Sequence, residues 1–159
     1  MKKPSFGGGS DSNKRTRILQ LLVIVAGVVA IIVGLKITGG SDSDVNFTQL
    51  TEESVPQQIS SQIVPEYRDM ERALACMVDD KVYVLATRGE KPTTGYDIEI
   101  DNMEIKEEDG KTTLTVNVLF TDPQAGASLT QETTYPYVVA ETDITKLPDK
   151  IDMKIQYKE

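Results

Sequence analysis

Histidine and tryptophan are missing from this 159-residue sequence, and cysteine occurs once. Without histidine there is no Ser-His or Cys-His catalytic pair, no imidazole metal ligand and no imidazole pH switch near neutrality. The single cysteine, Cys76, excludes an internal disulfide and any zinc site built from several thiolates. Basic residues are outnumbered: 17 Lys and Arg stand against 25 Asp and Glu, a formal net charge of −8. Binding to nucleic-acid phosphates needs a basic face, so no nucleic-acid partner is expected. Long apolar runs are scarce too. There is one, and it lies near the N-terminus.

That run, Ile18 to Leu35, reads ILQLLVIVAGVVAIIVGL, with Gln20 its one strongly polar member. Extended to Ile37 it has 20 residues, about 30 Å as a helix, which matches a hydrocarbon core. We read residues 18–37 as a transmembrane helix. A cleaved signal peptide has a shorter apolar region followed by a small-x-small site, and Leu35-Lys36-Ile37 offers none. A core helix of a soluble domain would keep a polar face, which this segment lacks. Five basic residues and one acidic residue precede Ile18, whereas 11 basic and 24 acidic residues follow from Gly39 onward. This asymmetry predicts a disordered basic tail, 1–17, in the cytoplasm and a C-terminus outside the cell membrane. Within the helix, Ala26, Ala30 and Gly34 repeat every four residues, a small-residue stripe on which a second copy could pack as a weak dimer.

Gly, Ser and Asp dominate the stretch after the helix, and residues 38–48 read as a flexible linker. It contains a glycosylation triplet, Asn46-Phe47-Thr48, a pattern that is frequent by chance. Residues 49–159 are mostly strand-patterned. Leu114, Val116, Val118 and Phe120 alternate with polar residues, as do Tyr96, Ile98 and Ile100, so Tyr96 to Phe120 reads as a long hairpin turning at Glu107-Glu108-Asp109-Gly110. Ala75–Val78 and Lys81–Thr87 flank Asp79-Asp80 as a second hairpin; 130–134, 137–140 and 151–157 are further strands. Only Ser54 to Leu74 has helical character, interrupted by Pro56 and Pro65. The expected fold is mainly β: one N-terminal transmembrane helix, then a small antiparallel β-sandwich or open barrel with a short helix.

Few residues offer chemistry, and neither an enzyme, a metal nor a cofactor is expected. Asp97, Glu99 and Asp101 share one strand face, read as solvated because residues 96, 98 and 100 form the core side. Cys76 lies among Ala75, Met77 and Val78 and reads as a buried, inert thiol. The candidate binding surface is the loop Glu90-Lys91-Pro92-Thr93-Thr94-Gly95-Tyr96, joined by Tyr135 and Tyr137. Pro92 fixes φ, glycines at both ends supply positive φ, and rigid loops on β-scaffolds are where binding surfaces concentrate.

The succession Gly89-Glu90-Lys91-Pro92-Thr93-Thr94-Gly95-Tyr96, Asp122-Pro123, Gln131 and Tyr135-Pro136-Tyr137-Val138-Val139 resembles the C-terminal domain of PrcB-family protease-complex subunits, over about residues 72–142. Thr94 stands where that family commonly has a second Gly. The resemblance implies an extracytoplasmic accessory protein that associates with a secreted protease and helps assemble or stabilise it, with no catalysis of its own. Pro92-Thr93-Thr94-Gly95-Tyr96 is also similar to one loop of chagasin-type protease inhibitors, whose other two loops have no counterpart here. The expectation is therefore a membrane-anchored accessory protein for a secreted or surface protease. The alternatives are a cell-envelope structural or sensory protein, or a chagasin-like inhibitor.

Overall fold

A computed structural model of the chain describes residues 42–159. The basic tail expected over 1–17, the transmembrane helix expected over 18–37 and the Ala26, Ala30 and Gly34 stripe expected within it lie outside the described residues. Among the described residues no helix is long and apolar enough to cross a membrane.

Among the described residues eight strands form two four-stranded sheets, and a short helical segment makes a third layer. The strands are β1 (Ser43–Asp44), β2 (Phe47–Gln49), β3 (Glu71–Val78), β4 (Lys81–Arg88), β5 (Asp97–Glu108), β6 (Lys111–Thr121), β7 (Tyr137–Thr142) and β8 (Lys150–Tyr157). The solvent-facing sheet has the order β1-β5-β6-β8 and the middle sheet β2-β7-β4-β3. Because the sheets are separate and packed face to face, the domain is a sandwich and not an open barrel.

Turn chemistry explains both hairpins. Asp79 and Asp80 have φ of 49° and 63°, and Asp109 and Gly110 have 54° and 74°. Positive φ at both central residues is the two-residue turn whose twist matches that of paired strands, and Asp and Gly tolerate it best. β5 and β6 pair from Asp97↔Thr121 to Glu108↔Lys111 with one irregularity, at Asp101. That bulge shifts the inward positions from Ile98 and Ile100 to Met103 and Ile105, a change of phase that strict alternation did not anticipate.

Ile98, Ile100, Met103, Leu114, Val116, Val118 and Phe120 of the solvent-facing sheet meet Ala75, Val82, Val84, Ala86, Val138 and Ala140 of the middle sheet. The opposite face of the middle sheet, with Leu74, Cys76, Val78, Tyr83, Leu85 and Val139, is covered by Val55, Ile59, Ile63, Val64 and Tyr67. Ile59, Ile63 and Tyr67 recur every four residues on one helical face. The segment is a π-helical turn, Ile59–Ile63, continued by α1 (Val64–Tyr67). Pro65 carries no N–H for the carbonyl of Ser61, and Val64 N–H bonds Ile59 O one residue further back than in an α-helix, which widens the turn.

Several expectations are corrected. Helix does not extend to Leu74: Glu71–Leu74 open β3, where register with β4 buries Leu74. Residues 130–134 form no strand; Thr134 makes one isolated bridge, to Lys91. β8 is parallel to β6, not antiparallel. The chain descends β7 in the middle sheet and crosses over at 143–149, so it re-enters the solvent-facing sheet at the end where β6 begins. The linker expected over 38–48 gives way to β1 and β2 from Ser43 on. Val45 between them is buried in the core, and Asn46 donates from Nδ2 to the Asp143 carboxylate at 2.7 Å, fixing the corner at which the chain changes sheets.

Candidate binding loops

The strands place two long loops at one end of the sandwich. The 89–96 loop joins β4 to β5, and the 122–136 segment joins β6 to β7. Neither has regular structure, yet the two hold each other. Lys91 and Thr134 exchange backbone hydrogen bonds at 2.8 and 2.9 Å, and Thr94 N–H donates to Thr130 O at 3.1 Å. Thr130 N–H donates to Thr94 Oγ1 at 3.0 Å, and Thr134 Oγ1 donates to Thr93 O at 2.8 Å. Tyr135 OH donates to Glu90 Oε2 at 3.1 Å. The Thr94 hydroxyl thus supplies an acceptor that a glycine at this position would lack.

Gly95 has φ of +93°, and a Cβ there would lie 2.8 Å from Leu129 Cδ2 and 3.2 Å from Pro123. Glycine is required at this position both for conformation and for the contact between the loops. At the other end of the loop Gly89, φ +76°, packs over the backbone of Asp69.

Beneath the loops lies Arg88, the last residue of β4, which falls outside the Glu90–Tyr96 stretch expected to bind. Its guanidinium Nη1 donates to Asp97 O at 2.8 Å and Thr121 O at 2.6 Å, and Nη2 pairs with the Asp122 carboxylate. It stacks on Phe120 with Cζ 4.4 Å from the ring centroid, and on Tyr96 at 5.1 Å. Arg88 is 2% exposed, and its Nε has no partner among the described residues. A buried charge is tolerated only when paired and hydrogen-bonded, so this residue binds the end of β4 to the start of β5, the end of β6 and the start of the second loop. A signal was present: the period of two that puts Val82, Val84 and Ala86 inward puts Arg88 inward as well.

The structure brings Glu90, Lys91, Pro92, Thr93, Thr94, Gly95, Tyr96 and Tyr135 together at this end. Glu90 and Pro92 are exposed, Lys91, Thr93, Thr94 and Tyr135 half-buried. Arg68, just past α1, stacks on the Tyr135 ring with Cζ 4.3 Å from its centroid. The Glu90 hydrogen bond, followed by burial, holds the Tyr135 hydroxyl above the usual tyrosine range. Tyr137 is turned the other way: it packs against the helical layer, and burial, then the charge of Glu52, raises its hydroxyl pKa. Tyr96 lies over Arg88 rather than on the outer surface. Among the described residues no three Cys, Asp or Glu side chains come together as cation ligands.

No curated protein and no solved structure matches the chain. One family model does, and its span begins in β4 and runs through both loops to the residue after β7, leaving out the helical layer, β3 and β8. Over residues 82–143 this chain carries the match to PrcB C-terminal.

Proposed function

We propose that the protein is a membrane-anchored accessory protein that docks a secreted or surface protease, or its complex, on the paired 89–96 and 122–136 loops. Residues 18–37 cross the cell membrane, residues 1–17 remain cytoplasmic and the β domain is extracytoplasmic. The domain performs no catalysis itself. What carries this reading is the loop pair: two irregular segments within the PrcB C-terminal match, locked by backbone and side-chain hydrogen bonds. Such locking lowers the ordering entropy that association costs. The family resemblance supports a protease complex as the partner.

The test uses epitope-tagged full-length protein on intact cells. Added protease should remove a C-terminal tag, and retention of the tag would refute the topology. Cross-linking and capture should recover a protease with the native chain. Recovery should fall more than about fivefold, or ~1 kcal/mol, when the exposed Pro92 and Thr133 are changed to Asp and Lys. Equal recovery by both forms, or recovery of wall polymer alone, would refute protease docking on the loops.

A further inference from the structure

The order of the strands separates the loop pair from the point where the chain enters the domain. Ser43 pairs with Ile105 and Asp44 with Glu104, close to the Asp109-Gly110 turn. The loops lie beyond Asp97, at the other end of β5. Eight residues of extended strand separate Ile105 from Asp97, about 25 Å. The same polarity runs through the molecule. The Asp79-Asp80 turn and the 143–149 crossover share the end of Ser43, whereas Arg88, the start of β7 and the end of β8 share the end of the loops.

We infer that the loop pair points away from the membrane, so that its partner is a protein domain standing well clear of the lipid and not a membrane-embedded one. The inference rests on the anchored reading above. Only five residues, 38–42, separate the apolar run from β1, a reach of at most about 18 Å. That is shorter than the distance from Ser43 to the loops, so the domain cannot stand inverted on the bilayer with its loops beneath Ser43. Charge opposes tipping the domain onto an anionic lipid surface. Around Ser43, the segments 42–46, 79–81, 106–111 and 143–150 hold nine acidic and five basic residues. The exposed face of β5 presents Asp97, Asp101 and Glu104, and the helical side presents Glu52, Glu53 and Glu66. Lys106, Lys150 and Lys154 stand on the same sheet face, but among these carboxylates and with Lys150 paired to Asp152, so neither face offers the unbroken cluster of Lys and Arg that draws a protein onto anionic headgroups.

The experiment places one fluorophore at Glu108→Cys and, separately, at Thr133→Cys in the full chain, reconstituted into phosphatidylcholine/phosphatidylglycerol vesicles with an energy acceptor on the headgroups. A membrane-impermeant maleimide labels outward-facing domains alone. Native Cys76 is buried, with its thiol pushed up to about 12, and stays unlabelled. Transfer from position 108 should exceed transfer from position 133 by several-fold. Equal or reversed transfer in chains that float with the vesicles overturns the outward orientation and leaves the anchor standing. Chains that do not float overturn the anchored reading and this inference with it.

Discussion

In the solvent-facing sheet, β6 buries Leu114, Val116, Val118 and Phe120 and leaves the residues between them partly exposed; in the middle sheet, β4 is buried at every position from Val82 to Arg88. The strands differ little in length, and the contrast comes from what lies on each face. One side of the solvent-facing sheet meets the other sheet and the opposite side meets water. The middle sheet meets the other sheet on one side and the Ile59, Ile63 and Tyr67 layer on the other. A sheet buried on one face writes its orientation into the sequence as alternation, and a sheet buried on both writes only a continuous apolar run. The helical layer, with few turns of its own, therefore decides how much of the middle sheet is core.

Five measurements would break or sharpen that contrast. The largest effect is expected where the two sheets meet: Phe120→Ala, at a fully buried ring, should lower unfolding free energy by about 3–5 kcal/mol in urea titration. Ile59→Ala tests the other layer. If the helical segment is as much core as the inter-sheet space, the loss should reach about 2–4 kcal/mol. A loss below ~0.5 kcal/mol would show that the middle sheet does not depend on its helical cover.

Arg88→Met should cost about 2–3 kcal/mol, because the carbonyls of Asp97 and Thr121 and the Asp122 carboxylate lose their donor. Arg88→Lys should restore only part of this, since an ammonium lacks the planar fork that reaches all three. Hydrogen exchange in residues 122–136 should rise in both variants, whereas Ile59→Ala should leave it unchanged until global unfolding.

The pH dependence isolates the helical side. Burial raises the Cys76 thiol from an ordinary 9.0 to about 12. Below the unfolded value both states keep the proton, and this contribution to stability is fully present. Between about pH 9 and 12 the unfolded chain has released a proton that the folded chain retains, so stability falls by about 1.4 kcal/mol per pH unit. Burial raises Tyr67 and Tyr83 in the same direction, so Cys76→Ala should flatten the alkaline slope without abolishing it. An unchanged slope would show that the thiol is not shielded by the helical layer. The smallest effect compares the turns: Asp80→Gly gives the middle sheet's hairpin the Asp-Gly pair of the solvent-facing one and should add up to about 1 kcal/mol.

The loops show where legibility in the sequence ended. Pro92, Gly89 and Gly95 marked the 89–96 turn, because local φ requirements are written in residue type. Residues 130–134 of the 122–136 segment form no strand although their Thr-rich composition suits one, because their hydrogen bonds go to Thr93, Thr94 and Lys91, some 40 residues away. Tyr135 and Tyr137 sit two apart, a spacing that groups them in the sequence. Only the former reaches Glu90, because β7 begins at Tyr137 and turns that ring toward the helical layer.

By itself the sequence determined the β class, both hairpins with their Asp-rich turns, the inward face of β6 and the position of the 89–96 loop. These depend on alternation and on backbone preferences of neighbouring residues, which act over a few positions. Tertiary structure alone decided the parallel placement of β8, the sheet change at Val45-Asn46, the bulge at Asp101 and the closing of the two loops over Arg88. Each of these joins residues far apart in the chain through burial and hydrogen bonding, and no local preference records which distant segment will arrive to supply the partner.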